Sequence, residues 1–116
     1  MKIPQQGNLL RIFVGESDRW HHQPLFEALV LRARELELAG ATVLRGPMGF
    51  GAHSLLHTSK ILRLSSDLPV VIEIVETEDK INLLLPHLDA MVQERLVTLE
   101  NVQILKYRAN KGKATE

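Results

Sequence analysis

Four short segments of the chain have the composition of β-strands. They are residues 8–15, 41–44, 68–75 and 97–107, each rich in Val, Ile, Leu or aromatic residues and bounded by polar, Gly or Pro positions. The segment 8–15 ends at a glycine and is predicted to be the central strand. The last segment is predicted in two parts, because Glu100 and Asn101 interrupt it.

Two longer segments show helical spacing of their apolar residues. Residues 24–38 repeat apolar positions at intervals of three and four, with Pro24 in the first turn and Gly40 just past the end. A second helix is predicted after Thr77, a suitable N-cap, and runs to about residue 94. Pro86 falls inside this helix and should bend it or remove one hydrogen bond. Residues 54–64 fit a short helix and an extended hairpin arm equally well.

The predicted order of elements is βαββαβ, which is the ferredoxin-like arrangement of the α+β class. It implies a four-stranded antiparallel sheet with both helices on one face and a long loop, residues 46–67, between the second and third strands. The opposite face carries enough apolar residues to need a cover, and self-association into a ring is the simplest cover. One domain over residues 1–116 is expected, ordered over about 8–108, with a polar tail at 109–116.

Composition restricts the function. The 116 residues include no cysteine, so disulfides, thiolate metal sites and cysteine nucleophiles are excluded. The 14 basic side chains balance the 14 acidic ones, which leaves no global attraction for nucleic acid. No secretory signal or membrane-spanning segment is evident, and we expect a cytoplasmic protein.

Residues 40–67 combine glycines and basic side chains without an acidic residue before Asp67. Backbone N–H groups near glycines, together with a guanidinium, can bind phosphate. The alternative is a tight bend between strands with an exposed arginine. Further along the chain, Lys60 and Arg63 either extend an anion-binding groove or form the solvated side of an amphipathic segment. The glycines are Gly46, Gly49 and Gly51, and the cations are Arg45, Lys60 and Arg63.

His53 and His57 are four residues apart, which on a helix would place both imidazoles on one face for a shared metal ion. No third ligand is evident nearby. Surface histidines, or histidines that contact an anion, fit the sequence as well.

Residues 16–22 follow the first strand and contain the single tryptophan. Trp20 could stack on a base, cover a subunit interface or cap the core beside the first helix. Glu16 and Asp18 do not form an acid/base pair with any evident reacting group. Because no catalytic constellation is apparent, we do not expect an enzyme.

Several long segments resemble the PII-like proteins, in particular their uncharacterised bacterial and archaeal branch. They are RIFVGESDRWH at 11–21, GATVLRGPMGFG at 40–51, HTSKILRLSSDLPVVIEIVE at 57–76 and VQILKY at 102–107. The resemblance implies a homotrimer, a mobile effector loop at residues 46–67, and adenine nucleotides in clefts between subunits. Ligand binding would then signal to a target through that loop.

The resemblance also indicates which residues would hold the ligand. The segments GATV and GFG are similar to the G-x-T-V and G-F-G pattern of the founding PII proteins. Their glycine-rich phosphate loop before the last strand has no counterpart in residues 93–101, so residues 40–67 are expected to supply most of an anion site. The single tyrosine, Tyr107, lies outside the loop, so uridylylation is not expected. The predicted ligand residues are Thr42, Arg45, Gly46, Gly49, Gly51, Lys60 and Arg63.

The sequence therefore predicts a non-enzymatic regulatory protein that binds a small anion, such as an adenine nucleotide. A membrane transport protein such as a fluoride channel is a candidate target, by association with the family. The alternative is a trimeric metal-binding protein similar to CutA, with His53 and His57 as ligands.

Overall fold

The central strand of the sheet, β1, spans Gln5–Gly15. The computed structural model describes residues 5–49 and 67–105. Within these residues, the hairpin strands β2 (Arg19–Trp20) and β3 (Gln23–Pro24) come next, then helix α1 (Leu25–Glu35) and strand β4 (Thr42–Arg45). Strand β5 (Pro69–Glu76), helix α2 (Glu78–Met91) and strand β6 (Leu96–Ile104) complete the fold.

The main sheet has the order β4-β5-β1-β6, and β1 pairs antiparallel with β5 and with β6. Strand β4 pairs antiparallel with β5 at the edge. This is the predicted ferredoxin-like topology, and the α+β fold class is confirmed. None of the helices in the described ranges is long and apolar enough to cross a membrane.

One face of the sheet packs against both helices. Alternate residues of β1 and β5 point into a shared core, in which Leu10, Ile12 and Ile72 have no exposed surface. Fully burying one such side chain contributes about 1.5–3 kcal/mol, so this layer dominates the stability of the domain. The largest fully buried side chains are Leu10, Ile12, Leu29, Val70, Ile72, Ile74, Ile81 and Leu84.

The other face of the sheet, here called the open face, has no helix of the described residues against it. Arg11 lies near its centre, where its guanidinium pairs with Glu73 of β5 at 2.9 Å and with Glu100 of β6 at 2.8 Å. Hydrogen bonds to these two carboxylates raise the pKa of Arg11, Glu73 being the larger cause. Around the ion pairs the register places apolar residues: Leu9, Phe13, Leu44, Val71, Val75, Leu96, Val102 and Ile104.

Helix α1 ends earlier than the sequence predicted, and glycine does not terminate it. Glu37 has φ +63°, its N–H donates to Arg34 O, and the Leu38 N–H donates to Ala33 O, both at 3.0 Å. These two bonds form a Schellman motif with a non-glycine residue in the left-handed position. Leu38 is buried in the core directly afterwards, which offsets the strain at Glu37.

Three other expectations needed revision. Strand β6 is continuous, because Glu100 and Asn101 pair with Leu9 and Asn8 of β1 and do not interrupt the ladder. Helix α2 contains Pro86 as predicted, but it ends at Met91 and not at about residue 94. Residues 19–24 form the hairpin β2-β3, where no strand was predicted, and Pro24 belongs to this hairpin and not to the first turn of α1. Thr77 is the N-cap of α2 as predicted, although its side chain makes no capping hydrogen bond.

We predict that Ile72→Ala lowers the free energy of unfolding by about 2–5 kcal/mol, because it leaves a cavity between the sheet and both helices. The matched control is Leu83→Ala on α2, whose side chain is 50% exposed, and it should cost less than about 1 kcal/mol. Chemical denaturation at one protein concentration measures both values. Equal costs would contradict the assignment of the core.

A second prediction concerns the end of β4. The Gly46 N–H donates to Pro69 O at 2.8 Å, and a Cβ at Gly46 would lie 2.8 Å from the ring carbon Pro69 Cγ. We expect Gly46→Ala to lower the free energy of unfolding by about 1–3 kcal/mol. The proline ring cannot move away from the added methyl group without disturbing the hydrogen bond from Gly46 N–H to Pro69 O. Gly40→Ala, where nothing lies within 4 Å of the added carbon, should change stability by less than about 1 kcal/mol. Thermal unfolding followed by circular dichroism compares the two variants.

Candidate functional site

One end of each of the four main strands lies at the same end of the sheet, here called the loop end. The register sets Gly15 of β1 opposite Pro69 of β5, and Arg45 of β4 opposite Val70. On the other side of β1, Phe13 is opposite Leu96, the first residue of β6. Both ends of the segment 46–67 are therefore attached at the loop end, whatever path the segment takes.

A turn at residues 15–18 crosses the loop end between the edge strands. The Asp18 N–H donates to Gly15 O at 3.1 Å and closes the turn, while the Glu16 N–H donates to Leu68 O at 2.8 Å. A Cβ at Gly15 would lie 2.6 Å from Asp67 Oδ1, so a larger residue would displace the Asp67 side chain. That same oxygen accepts the Ser17 N–H at 3.2 Å. The turn is thus fixed to the start of β5 at several points.

Asp18 and Arg95 form a two-pronged ion pair on the β6 side of this turn. Arg95 Nε donates to Asp18 Oδ2 at 2.9 Å and Arg95 Nη2 donates to Asp18 Oδ1 at 2.7 Å. Both side chains are mostly buried, with 19% and 16% of their surfaces exposed for Arg95 and Asp18. The hydrogen bonds from Arg95 to Asp18 raise the pKa of Arg95, so the guanidinium stays charged.

Glu16 and Arg45 form the corresponding pair on the β4 side. Arg45 Nη2 lies 2.9 Å from Glu16 Oε2, and the Arg45 guanidinium carbon lies 5.8 Å from the centre of the Phe26 ring. Arg45 is more exposed than Arg95, so solvent weakens its ion pair. Arg45 ends β4 and Arg95 directly precedes β6, and these two strands are three strand spacings, or about 14 Å, apart.

A cleft of about 250 Å³ opens beside the Asp18–Arg95 pair. Trp20 contributes to its wall, packs against the core and stacks on His21 with ring centres 4.1 Å apart. The core-capping interpretation of Trp20 therefore fits the structure, and the ring still borders the cleft. The other residues that line the cleft are Arg19, Leu25, Ala90, Met91 and Gln93.

The structure brings together part of the predicted ligand set. Arg45, Gly46 and Gly49 lie at the loop end. Gly46 is needed for its close approach to Pro69, not for a left-handed backbone. Thr42 lies at the other end of β4, is exposed, and pairs with Glu73 on the open face. Gly51, His53, His57, Lys60 and Arg63 lie outside the described residues.

Thr42 instead borders a wide groove of about 970 Å³ at the opposite end of the sheet. Glu76 lies in this groove with 8% of its surface exposed. Its carboxylate accepts the N–H groups of Ala39 and Thr77, so this buried charge has a structural explanation. It fixes the connection between α1 and β4.

Sequence reasoning passed over Asp18 and Arg95 as partners. They are 77 positions apart, and only the pairing of β1 with β6 brings them into contact. The available signal was one arginine in residues 93–101, the segment that lacks a glycine-rich phosphate loop. Arg95 supplies a cation from that same connection.

The chemistry of the loop end is ionic. Guanidinium groups on both edges and carboxylates between them can exchange partners with an incoming anion. Among the residues 5–49 and 67–105, no group of three or more His, Asp or Glu side chains is placed to hold a metal ion.

The chain matches proteins of one family over most of its length. The family model DUF190, described as "Uncharacterized ACR, COG1993", matches residues 7–104. A UPF0166 protein of Aquifex aeolicus (strain VF5) is 38% identical over 97 residues, which cover 84% of this chain and 91% of that protein. The UPF0166 protein MJ1524 of Methanocaldococcus jannaschii is 28% identical over 102 residues, covering 87% and 94%.

The fold is also similar to a solved PII-like structure. CPII of Thiomonas intermedia K12, solved with ADP and bicarbonate, superposes with a TM-score of 0.63 at 17% sequence identity. The similarity covers 90% of this chain and 93% of CPII. At that identity the comparison shows the fold, which agrees with the topology described above. The chain therefore belongs to the DUF190 (UPF0166) family.

Proposed function

We propose that this protein is a non-enzymatic, PII-like regulatory protein that binds a small anionic ligand at the loop end of its sheet. An adenine nucleotide is the first ligand to consider. One observation carries the proposal: both ends of the segment 46–67 are attached where Arg45 and Arg95 lie. A ligand bound there contacts the base of the predicted effector loop directly.

The proposed mechanism is a change of ion-pair partners. A phosphate group replaces Glu16 at Arg45 and accepts backbone N–H groups at residues 48–49, since the Gly46 N–H already donates to Pro69 O. Lys60 and Arg63, from the loop itself, extend the cationic surface. Because β4 leads directly into the loop, this exchange favours one loop arrangement over others and so alters the affinity for a target.

The solved relative supports the choice of ligands. CPII, described as a nitrogen regulatory PII-like protein, has been solved with ADP and bicarbonate and with ADP, AMP and acetate. Both nucleotide phosphates and planar oxyanions are bound well by guanidinium groups. Adenine nucleotides and bicarbonate are therefore the first compounds to test here.

A homotrimer is the proposed assembly. The open face exposes Leu44, Val75 and Leu96 by 45–59%, which is a large apolar surface for an isolated domain. Strand β6 is an edge strand that also exposes Val97 and Leu99 on the helix side. Contact with other subunits in a closed ring would cover both the open face and the exposed edge of β6 in every subunit.

The target and location are carried over from the family resemblance. A membrane transport protein such as a fluoride channel is the proposed partner, contacted by the loop 46–67 from the cytoplasmic side. Nucleic acid is not proposed as a partner, because the formal net charge is zero.

Isothermal titration of the full chain with ATP, ADP, AMP and bicarbonate tests the ligand proposal. We expect at least one nucleotide to bind, and Arg45→Ala to weaken it by roughly tenfold, since a charged hydrogen bond to phosphate is lost. Arg34→Ala, which removes an exposed arginine from α1, should leave the affinity unchanged. The purified protein should bind the nucleotide without converting it.

If no nucleotide bound at millimolar concentration and Arg45→Ala changed no affinity, the proposal would be wrong. A parallel titration with divalent metals addresses the CutA-like alternative. Metal binding that is lost on replacing His53 and His57 by alanine would favour that alternative instead.

Analytical ultracentrifugation tests the assembly. We expect a trimer for the native chain, and dissociation when Leu44→Glu and Val75→Glu place two charges on the open face. Leu83→Glu has a similar exposure on the helix side and should leave the trimer intact. A monomeric native chain, or equal effects from both faces, would contradict the proposed interface.

A further inference from the structure

The Asp18 carboxylate occupies a set of three N–H donors. Arg95 Nε and the Gly15 N–H donate to Oδ2 at 2.9 and 2.8 Å, and Arg95 Nη2 donates to Oδ1 at 2.7 Å. We call these three groups the Arg95 donor set. A guanidinium combined with a backbone amide is an arrangement that binds carboxylate and phosphate oxygens.

The Arg95 donor set borders the 250 Å³ cleft, whose lining includes Arg19, Trp20 and both members of the ion pair. An anion that enters this cleft therefore approaches donors that already hold a negative charge. Like charges at about 4 Å repel strongly at a partly buried site, so the carboxylate and a second anion cannot both occupy these donors.

The backbone of Asp18 is fixed independently of its side chain. The Asp18 N–H donates to Gly15 O at 3.1 Å, and Asp18 O accepts the Leu25 N–H at 2.7 Å. Rotation of the side chain away from Arg95 therefore leaves the turn at residues 15–18 closed. The exchange requires a change of rotamer, not local unfolding.

We propose that the Asp18 side chain is an internal competitor for the anionic ligand, which binds the Arg95 donor set by displacing the carboxylate. The inference rests on the proposed function, because it concerns a ligand of the same loop end. It makes Asp18 a specificity-determining residue. A ligand with a single negative charge gains little binding free energy, because it only replaces the similar charge of the Asp18 carboxylate. A multiply charged phosphate makes stronger contacts with the same donors.

A purely structural role is the competing explanation. In that case the ion pair only ties the connection between α2 and β6 to the turn after β1. Removing the Asp18 charge would then reduce stability and would not increase the affinity for any anion.

The test measures binding of inorganic pyrophosphate and ATP to the full chain by isothermal titration. Asp18→Asn keeps the shape of the side chain and removes its charge, and we expect it to bind both probes about tenfold more tightly than the native chain. Asp89→Asn removes the same formal charge from an exposed position of α2 and should behave like the native chain. The gain should disappear in Asp18→Asn combined with Arg95→Ala.

The outcomes separate this inference from the proposed function. If the native chain binds ATP and Asp18→Asn binds it equally or more weakly, the competitor role is wrong and the proposed function stands. If only Asp18→Asn binds pyrophosphate and the native chain binds no nucleotide, the competitor role stands and the proposed function fails. If neither protein binds either probe, the competitor role is wrong, and the titrations with ADP, AMP and bicarbonate decide the proposed function.

A second measurement uses the native chain, so it does not depend on whether the variants fold. The side-chain NMR signal of Arg95 Nε–H in the native chain reports directly on the hydrogen bond to Asp18. We expect this signal to shift as pyrophosphate or ATP is added. A signal that stays constant while either probe binds overturns the proposal.

Discussion

Strand β1 is hydrogen-bonded along its length to β5 on one side and to β6 on the other, and the rest of the structure depends on this central position. The alternation of its side chains sends Leu10, Ile12 and Val14 into the helix-covered core and Arg11 to the open face. A shift of the pairing by one residue would exchange these two sets and bury the guanidinium. The register is therefore fixed by the core, and the location of the loop end follows from the register.

Much of this arrangement could be predicted from the sequence, because it depends on local patterns. Period-two and helical spacing placed all four main strands and both helices within a few residues. The errors have local physical causes. Glu37 takes a left-handed conformation that sequence rules assign to glycine, and burial of Leu38 next to it provides the compensating contact. Glu100 continues a strand because it pairs with Leu9 of β1 in the ladder, a partner in a distant segment of the chain.

The candidate site was less predictable, since its charges are defined by contacts between distant segments. Arg45 was identified because it lies beside glycines in the sequence. Arg95 was not, because nothing local distinguishes it from an exposed strand residue. Its position at the loop end results from the antiparallel pairing of β1 and β6, which brings the start of β6 beside the turn that follows β1. A search for cations near the ends of paired strands would have found it.

The ion pairs also explain how a chain with zero net charge could carry the proposed anion-binding site. In an unpaired state, the mostly buried guanidinium of Arg95 would lose hydration without a compensating partner, whereas Arg45 is more than half exposed. Glu16 and Asp18 sit in one turn and neutralise one arginine each, so the structure holds both cations without a ligand. The same turn is attached to Leu68 and Asp67 at the start of β5, where the segment 46–67 ends. Because the neutralising carboxylates and the loop base share these few residues, the proposed exchange of an internal anion for an external one would be coupled to the loop through a direct physical connection.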